Sequence, residues 1–248
     1  MNQSIKVTGM ILSAVPIGEY DKRIVILTKE KGKISAFAKG ARRQNSPLMG
    51  VTNPFSFGEF ELYEGRTSHN VMQAHILNYF MEFNTDFESA YYGFYFMEIA
   101  DYYTREYNDE KQMLKLLYQT MRALASGKFN RELVRYIFEL KTLVIQGESP
   151  EVFRCANCGV EERRMVFSSQ NHGFICEECQ AIAPDGITVG NSTAYTLQYI
   201  VSTSVERLYT FTVSDEVLDE LRQIMKQYMD THVEKRFKAL EILEMCLK

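Results

Sequence analysis

Tryptophan is missing from this chain, histidine occurs only four times, and no apolar run approaches the roughly 18 to 20 residues that a membrane-spanning helix needs. The missing tryptophan excludes little, because 15 Tyr and 16 Phe supply the aromatic bulk. The scarcity of histidine narrows the chemistry more. His69, His75 and His232 have no carboxylate or thiol partner evident beside them in the sequence. Also absent are the phosphate-binding G-x-x-x-x-G-K-[ST], the zinc-protease H-E-x-x-H, the nucleophile elbow G-x-S-x-G and the deaminase pair H-x-E with P-C-x-x-C. The opening segment MNQSIKVTGM lacks the basic start and apolar middle of a secretory signal. Together these absences lead us to expect an intracellular, cytoplasmic protein that binds, and not an enzyme.

What is present suffices for one large domain or two modest ones: 248 residues, 46% of them hydrophobic. The formal charge of −4 conceals an asymmetry. Residues 1–50 hold nine Lys or Arg (6, 22, 23, 29, 31, 33, 39, 42, 43) against three acids (19, 21, 30), a local charge of +6, which leaves −10 on the other 198 residues. Charges are felt over about one Debye length, ~8 Å at physiological salt, so a basic module on an acidic body can still attract a polyanion.

The first eighty residues predict five short strands, at 5–15, 22–28, 33–39, 55–64 and 69–77. Each is rich in β-branched and aromatic residues, and the turn signals KEKGK, QNSP and YEGR separate them. Five strands in this span suggest a small barrel. Beyond residue 80 the apolar period changes from two to about 3.6. Thr85 with Glu88 has the form of a capping box opening a helix through Phe87, Tyr91, Tyr95, Ile99 and Tyr102, and further aromatics around it imply burial on more than one side. Leu114, Leu117, Met121 and Leu124 form a second stripe ending at Gly127. Leu133, Ile137, Leu140 and Val144 form a third ending at Gly147. Ser214 precedes the stripe Val217, Leu221, Ile224 and Tyr228. Thr231 with Glu234 is a second capping box, before Phe237, Leu240, Leu243 and Leu247.

The segment between these helices differs in character. Cys155, Cys158, Cys176 and Cys179 form C-x2-C, 17 intervening residues, then C-x2-C. Each pair can offer two thiolates from a tight turn to one tetrahedral ion, and the excursion is long enough to return as a short hairpin. We expect one structural Zn²⁺: four thiolates close its coordination sphere and leave no place for a catalytic water. A disulfide pair suits an intracellular compartment poorly, and a redox dithiol needs only one C-x-x-C. With the ion and four thiolates the formal charge moves from −4 to −6. His172, between the pairs, reads as an exposed hairpin residue, and Cys246, alone in the last helix, as core packing.

The stretch FAKGARRQNSP, residues 37–47, concentrates Lys39, Arg42 and Arg43 at the end of the third strand. A small five-stranded barrel with cations along one side and aromatics on its strands has the ingredients of an OB-fold that binds single strands: cations neutralise phosphates and aromatic faces stack bases. Gly40 and Asn45 are expected to keep this loop flexible. Most of Phe37, Phe55, Phe57 and Phe60 are expected to fill the barrel.

GEYDKRIVILTKEKGKISAFAKGARRQNSP resembles the N-terminal signature of the bacterial recombination mediator family RecO, in which a strand pair ending in T-x-x-x-G-K leads to K-G-A-R-R. FELKTLVIQGESPEVFRCANCG followed by GFICEEC resembles the same family's helix end, proline turn and zinc module, in the same order. The likeness covers most of residues 5–180 and weakens in the last helices.

The resemblance implies an α+β chain: an N-terminal five-stranded OB-fold barrel, then an α-helical domain interrupted by a four-cysteine zinc ribbon. The expected boundaries are 1–80 for the barrel, 81–150 and 191–248 for the two parts of the helical domain, and 151–190 for the ribbon. It also implies a non-enzymatic DNA-repair function: binding single- and double-stranded DNA, annealing complementary strands, associating with RecR, and helping load RecA onto DNA coated by single-strand-binding protein. No membrane or small-molecule partner is implied. Lys39, Arg42 and Arg43 match the family's basic loop, and the four cysteines match its metal ligands. Arg23, Lys33, Lys22 and Arg66 extend the expected phosphate-tracking face. Two other readings fit the residues: a protein-only adaptor, and an RNA-binding factor with an OB-fold and a structural ribbon.

Overall fold

In a computed structural model the structure describes residues 4–65, 68–161 and 164–246, and the chain divides into two compact units. One comprises Met1–Ala125 with Phe237–Lys248, the other Ser126–Arg236. The expected helical region 81–150 is thus shared between them.

In the first unit, β1 (Ser4–Ile17), β2 (Asp21–Thr28), β3 (Gly32–Ala38), β4 (Phe57–Glu64) and β5 (His69–Asn78) close into a barrel in the order β1-β2-β3-β5-β4, the connectivity of an OB-fold. All neighbouring pairs are antiparallel except the short β3–β5 contact, where Ala36 meets His69 and Phe37 meets Asn70. Alternation decides the interior. Ile24 and Ile26 of β2, Ile34, Ala36 and Ala38 of β3, and Phe60 and Leu62 of β4 point into one apolar cluster, so the residues between them face outward. The strand period read from the sequence therefore locates both the core and the outer face.

Two helices of this unit follow the barrel, α1 (Phe87–Tyr103) and α2 (Lys111–Ala125). Tyr92, Tyr95, Phe96, Met97, Ile99 and Ala100 of α1 are all buried, as the breadth of its apolar surface implied. The cap of α1 differs from expectation. Asp86, not Thr85, is the N-cap: its carboxylate accepts from the Ser89 amide at 3.1 Å and from the Ser89 hydroxyl at 2.7 Å. Thr85 still belongs to the preceding 3-10 turn and donates its hydroxyl to Glu82 O. An ionised carboxylate next in sequence is the stronger acceptor at a positive helix start.

The second unit contains α3 (Arg131–Gln146), then β6 (Met165–Ser168), β7 (Gly173–Cys176) and β8 (Ile187–Thr188), then α4 (Asn191–Ser202) and α5 (Asp215–His232). Asn130 caps the start of α3, and Gly147, with φ of 84°, ends it by donating to Leu143 O and Val144 O. Inside α3, the buried Lys141 donates to the carbonyls of Ile200, Val201 and Thr203, so one ammonium satisfies the carbonyl end of α4. Ser214 caps α5 as expected. Thr231 does not open a helix. It lies within α5 and donates to Gln227 O, because the helix continues through buried Tyr228 and Met229.

The last helix, α6 (Lys238–Cys246), returns to the first unit, where Phe237 packs edge-on against Tyr95 and Tyr102 of α1. Leu243 is buried, but Cys246 is exposed and not core packing: the inward positions of this short helix are Ala239 and Leu243. Leu247 lies outside the described residues. No described helix is long and apolar enough to cross a membrane.

Candidate nucleic-acid interface and metal centre

The outer surface of the barrel carries a row of ladder partners across three strands: Val15 of β1 opposite Arg23 of β2, and Arg23 opposite Phe37 of β3. Arg23 and Val15 are exposed and Phe37 is half-buried, so a cation lies between two apolar neighbours on an open sheet face.

The basic loop continues this face from the end of β3, and it is held firmly. Gly40, at φ of 67°, and Asn45, at φ of 63°, make left-handed turns that most side chains resist. The Gly40 amide donates to Asp21 Oδ1 at 2.7 Å, and the Arg42 amide to Tyr20 O at 2.8 Å. Ala41 is completely buried and joins the barrel core with Leu48. Gly40 and Asn45 therefore shape a hydrogen-bonded turn. Lys39, Arg42 and Arg43 are left on the surface. Arg42 Nη1 donates to Gly18 O at 3.3 Å, and the Arg43 guanidinium lies 5.1 Å from the ring centroid of Tyr20.

The remaining expected cations separate by their partners. Lys33 Nζ lies 3.0 Å from Asp101 Oδ1 and donates to Asp101 O, so its charge is committed to α1. Lys22 Nζ donates to Asn53 Oδ1 at 2.8 Å and lies 3.4 Å from both Met49 O and Thr52 Oγ1, bracing the chain that leads into β4. Partial burial, and secondarily the charge of Arg42, pull its pKa below the usual lysine value. Arg66 lies outside the described residues. The structure thus brings Arg23, Lys39, Arg42 and Arg43 to the surface, while Lys22 and Lys33 hold the frame.

The four phenylalanines also divide. Phe60 fills the barrel, Phe55 packs against Phe83 and Phe94, Phe57 packs against Tyr118, and Phe37 lies on the outer face. Strand parity puts Phe37 outside: its neighbours Ala36 and Ala38 take the inward positions. His69 also differs from expectation, because the β4–β5 register sets it beside Glu64, with Nε2 3.6 Å from Oε1.

In the second unit, the sulfurs of Cys155, Cys158, Cys176 and Cys179 all lie within 4.8 Å of one another, and those of Cys158 and Cys176 are 3.6 Å apart. A tetrahedral zinc with bonds of about 2.3 Å separates its sulfurs by about 3.8 Å, so the cluster has the dimensions to hold a metal ion. Cys155 opens a knuckle in which the Gly159 amide donates to Cys155 O. Cys176 ends β7, and Cys179 lies on the 3-10 turn that follows. The Cys176 amide donates to Cys155 Sγ at 3.4 Å and Asn157 Nδ2 to Cys179 Sγ at 3.2 Å, contacts that favour thiolates. Burial raises the Cys155 pKa, but amides of Cys158, Cys176 and Asn157 outweigh it and bring it down to about 6. The Cys176 thiol is pushed up, above all by burial. Four adjacent thiolates need a cation to neutralise them. His172 is exposed and is not one of the clustered ligands.

Sequence reasoning missed Tyr20 and Asp21, because their importance comes from pairing with a loop some twenty residues away. The only local signal was their position in the turn between two strong strands.

Residues 1–80 match the family described as "Recombination protein O N terminal", and residues 84–241 match "Recombination protein O C terminal". Among curated relatives, the DNA repair protein RecO of Acetivibrio thermocellus is 31% identical over 97% of this chain and 96% of its own length. That of Alkaliphilus metalliredigens is 31% identical over 96% of this chain and 98% of its own. That of Bacillus subtilis is 26% identical over 96% and 93%. With both halves matched and the likeness running through almost the whole length, the chain belongs to the RecO family.

Proposed function

We propose that this chain is a recombination mediator in DNA repair that acts by binding and not by turnover. The observation that carries the reading is the fixed basic ridge of Lys39, Arg42 and Arg43 on an OB-fold barrel, continued along the strands by Arg23. Guanidinium and ammonium groups displayed with no ion pair among the described residues neutralise phosphates and release counterions whatever the base sequence. Phosphate contact fixes the strand's position and leaves base edges available, so sequence readout remains with the strands themselves. Two polyanions brought together on such a surface can anneal.

Membership of the family and the names of its relatives support a DNA-repair setting. There the chain would bind single- and double-stranded DNA, associate with RecR, and help RecA load onto DNA coated by single-strand-binding protein. In the second unit, Cys155, Cys158, Cys176 and Cys179 would hold one Zn²⁺, whose role is to fold the ribbon.

The test is annealing of complementary strands precoated with single-strand-binding protein, comparing the unmodified chain with a K39A/R42A/R43A variant. Loss of annealing and DNA binding in a folded variant supports the reading. Unchanged binding assigns the ridge no DNA role and favours a protein-only adaptor. Stronger competition by RNA than by DNA of equal length favours an RNA-binding factor.

A further inference from the structure

We propose that Tyr20 is a base-stacking residue, and that it gives the basic ridge a preference for unpaired strands over duplex. This rests on the DNA-binding reading above and specifies which part of that surface touches a base.

Tyr20 lies in the turn between β1 and β2 with 41% of its surface exposed. An exposed tyrosine alone means little, but its backbone is fixed to the basic loop on both sides. Before it, Gly18 O accepts from Arg42 Nη1 at 3.3 Å. After it, Asp21 Oδ1 accepts from the Gly40 amide at 2.7 Å. Its own carbonyl accepts from the Arg42 amide at 2.8 Å. The Tyr20 backbone is thereby tied to Arg42, and the Arg43 guanidinium lies over one face of the ring, 5.1 Å from its centroid, which leaves the other face for a base. An aromatic surface held in place next to two cations is the combination that single-strand binding uses: the ring meets a base while the cations meet the adjoining phosphates. Because the turn is already built, little ordering is required on binding.

The strand preference follows from what each form of DNA can offer. Phosphates are available on single strands and duplex alike, so Arg23, Lys39, Arg42 and Arg43 act on both. Within a duplex the faces of internal bases are covered by their neighbours, and only an unpaired base can swing out to meet a ring. Tyr20 therefore adds affinity for the single strand alone. When complementary strands pair, that contribution is lost and the product is held less tightly than the substrate, which favours release of the annealed duplex.

The experiment compares the affinities of the unmodified chain, Tyr20→Ala and Tyr20→Phe for an oligo-dT and for a duplex of equal length. Stacking contributes about 1 to 3 kcal/mol per base, so Tyr20→Ala should weaken oligo-dT binding by about 5- to 140-fold. Duplex affinity should change by less than about twofold, and Tyr20→Phe should keep the preference. Because the chain has no tryptophan, Tyr20→Trp creates a single reporter whose emission should be quenched as oligo-dT saturates the protein. Equal losses on both forms of DNA would overturn the proposal and leave Tyr20 as a support for Arg43. No loss on either, or an unquenched Trp in the saturated complex, would overturn it as well. If the unmodified chain binds neither form of DNA, the underlying reading fails first, an outcome distinct from all of these.

Discussion

Lys33 Nζ lies 3.0 Å from Asp101 Oδ1, a contact that fixes the third strand of the barrel to the end of α1. It separates a framework cation from the surface cations around it. Lys33→Ala should lower unfolding stability by about 1 to 2 kcal/mol, because the ammonium is largely enclosed and also donates to a carbonyl. Oligonucleotide affinity should change by less than about twofold. Chemical denaturation and a binding titration on the same variant check both halves, and a large affinity loss at unchanged stability would count against this assignment.

The salt dependence of binding should reflect the smaller set of surface cations. Six phosphate contacts on a single strand would give a slope of log K against log salt of about −4, whereas four, from Arg23, Lys39, Arg42 and Arg43, give about −3. Titrations with oligo-dT between low and physiological salt measure this slope. A flat response would remove the phosphate-contact model altogether.

Metal analysis of the purified chain should find one zinc per molecule, and Cys176→Ser should retain much less. Cys176 is buried and its amide also supports Cys155, so its loss removes a ligand and disturbs a second. Chelation should loosen the ribbon, read by protease sensitivity within 151–190, while the barrel's oligonucleotide affinity is retained. Full metal retention by Cys176→Ser would contradict the four-sulfur assignment.

Gly173 has φ of 148°, and a Cβ there would lie 2.1 Å from Glu151 O. The flanking backbone bonds, Glu151 N to His172 O and Phe174 N to Glu151 O, lock that approach. Gly173→Ala should therefore displace β7, which ends at Cys176, and cost metal as well as stability. Zinc content and thermal unfolding of the variant test this, and a metal-replete variant of unchanged Tm would refute it.

His232 gives the second unit a pH dependence of defined sign. Burial above all lowers its pKa, with a further lowering from His172, whose ring stacks on it at 4.2 Å; the hydrogen bond with Ser169 and the charge of Glu148 act in the opposite direction without cancelling it. The Tyr228 ring also packs against it, with centroids 4.3 Å apart, and Nε2 lies 2.9 Å from Ser169 O, where the neutral ring donates. The unfolded chain then binds a proton more readily than the folded one. The stabilisation is present above about pH 6.5 and is lost as pH falls below it toward the depressed folded value. Unfolding titrations from pH 8 to 5 should show this decline, and His232→Gln should flatten it.

Much of the fold was legible because its signals are local. Strand parity in KRIVILT and KISAFAK separates Ile24, Ile26, Ile34 and Ala36 inside from Arg23 and Phe37 outside, and the two C-x2-C pairs carry their ligand geometry in their spacing. The helix caps were less legible. Thr85 and Thr231 fit a capping pattern, but the preceding 3-10 turn and the continued burial of α5 decided where those helices begin and end.

By itself, then, the sequence determined the five-strand and helical patterns, the basic loop and the four ligands, since backbone period and ligand spacing are properties of neighbouring residues. Only the tertiary structure decided which cations remain at the surface. Lys33 lies on β3 and Lys39 just past its end, two lysines that the sequence alone does not tell apart, yet one reaches Asp101 and the other reaches solvent. The same long-range closure set Tyr20 beside Arg43. Such pairings depend on which distant segment the barrel brings near, and no local pattern encodes that distance.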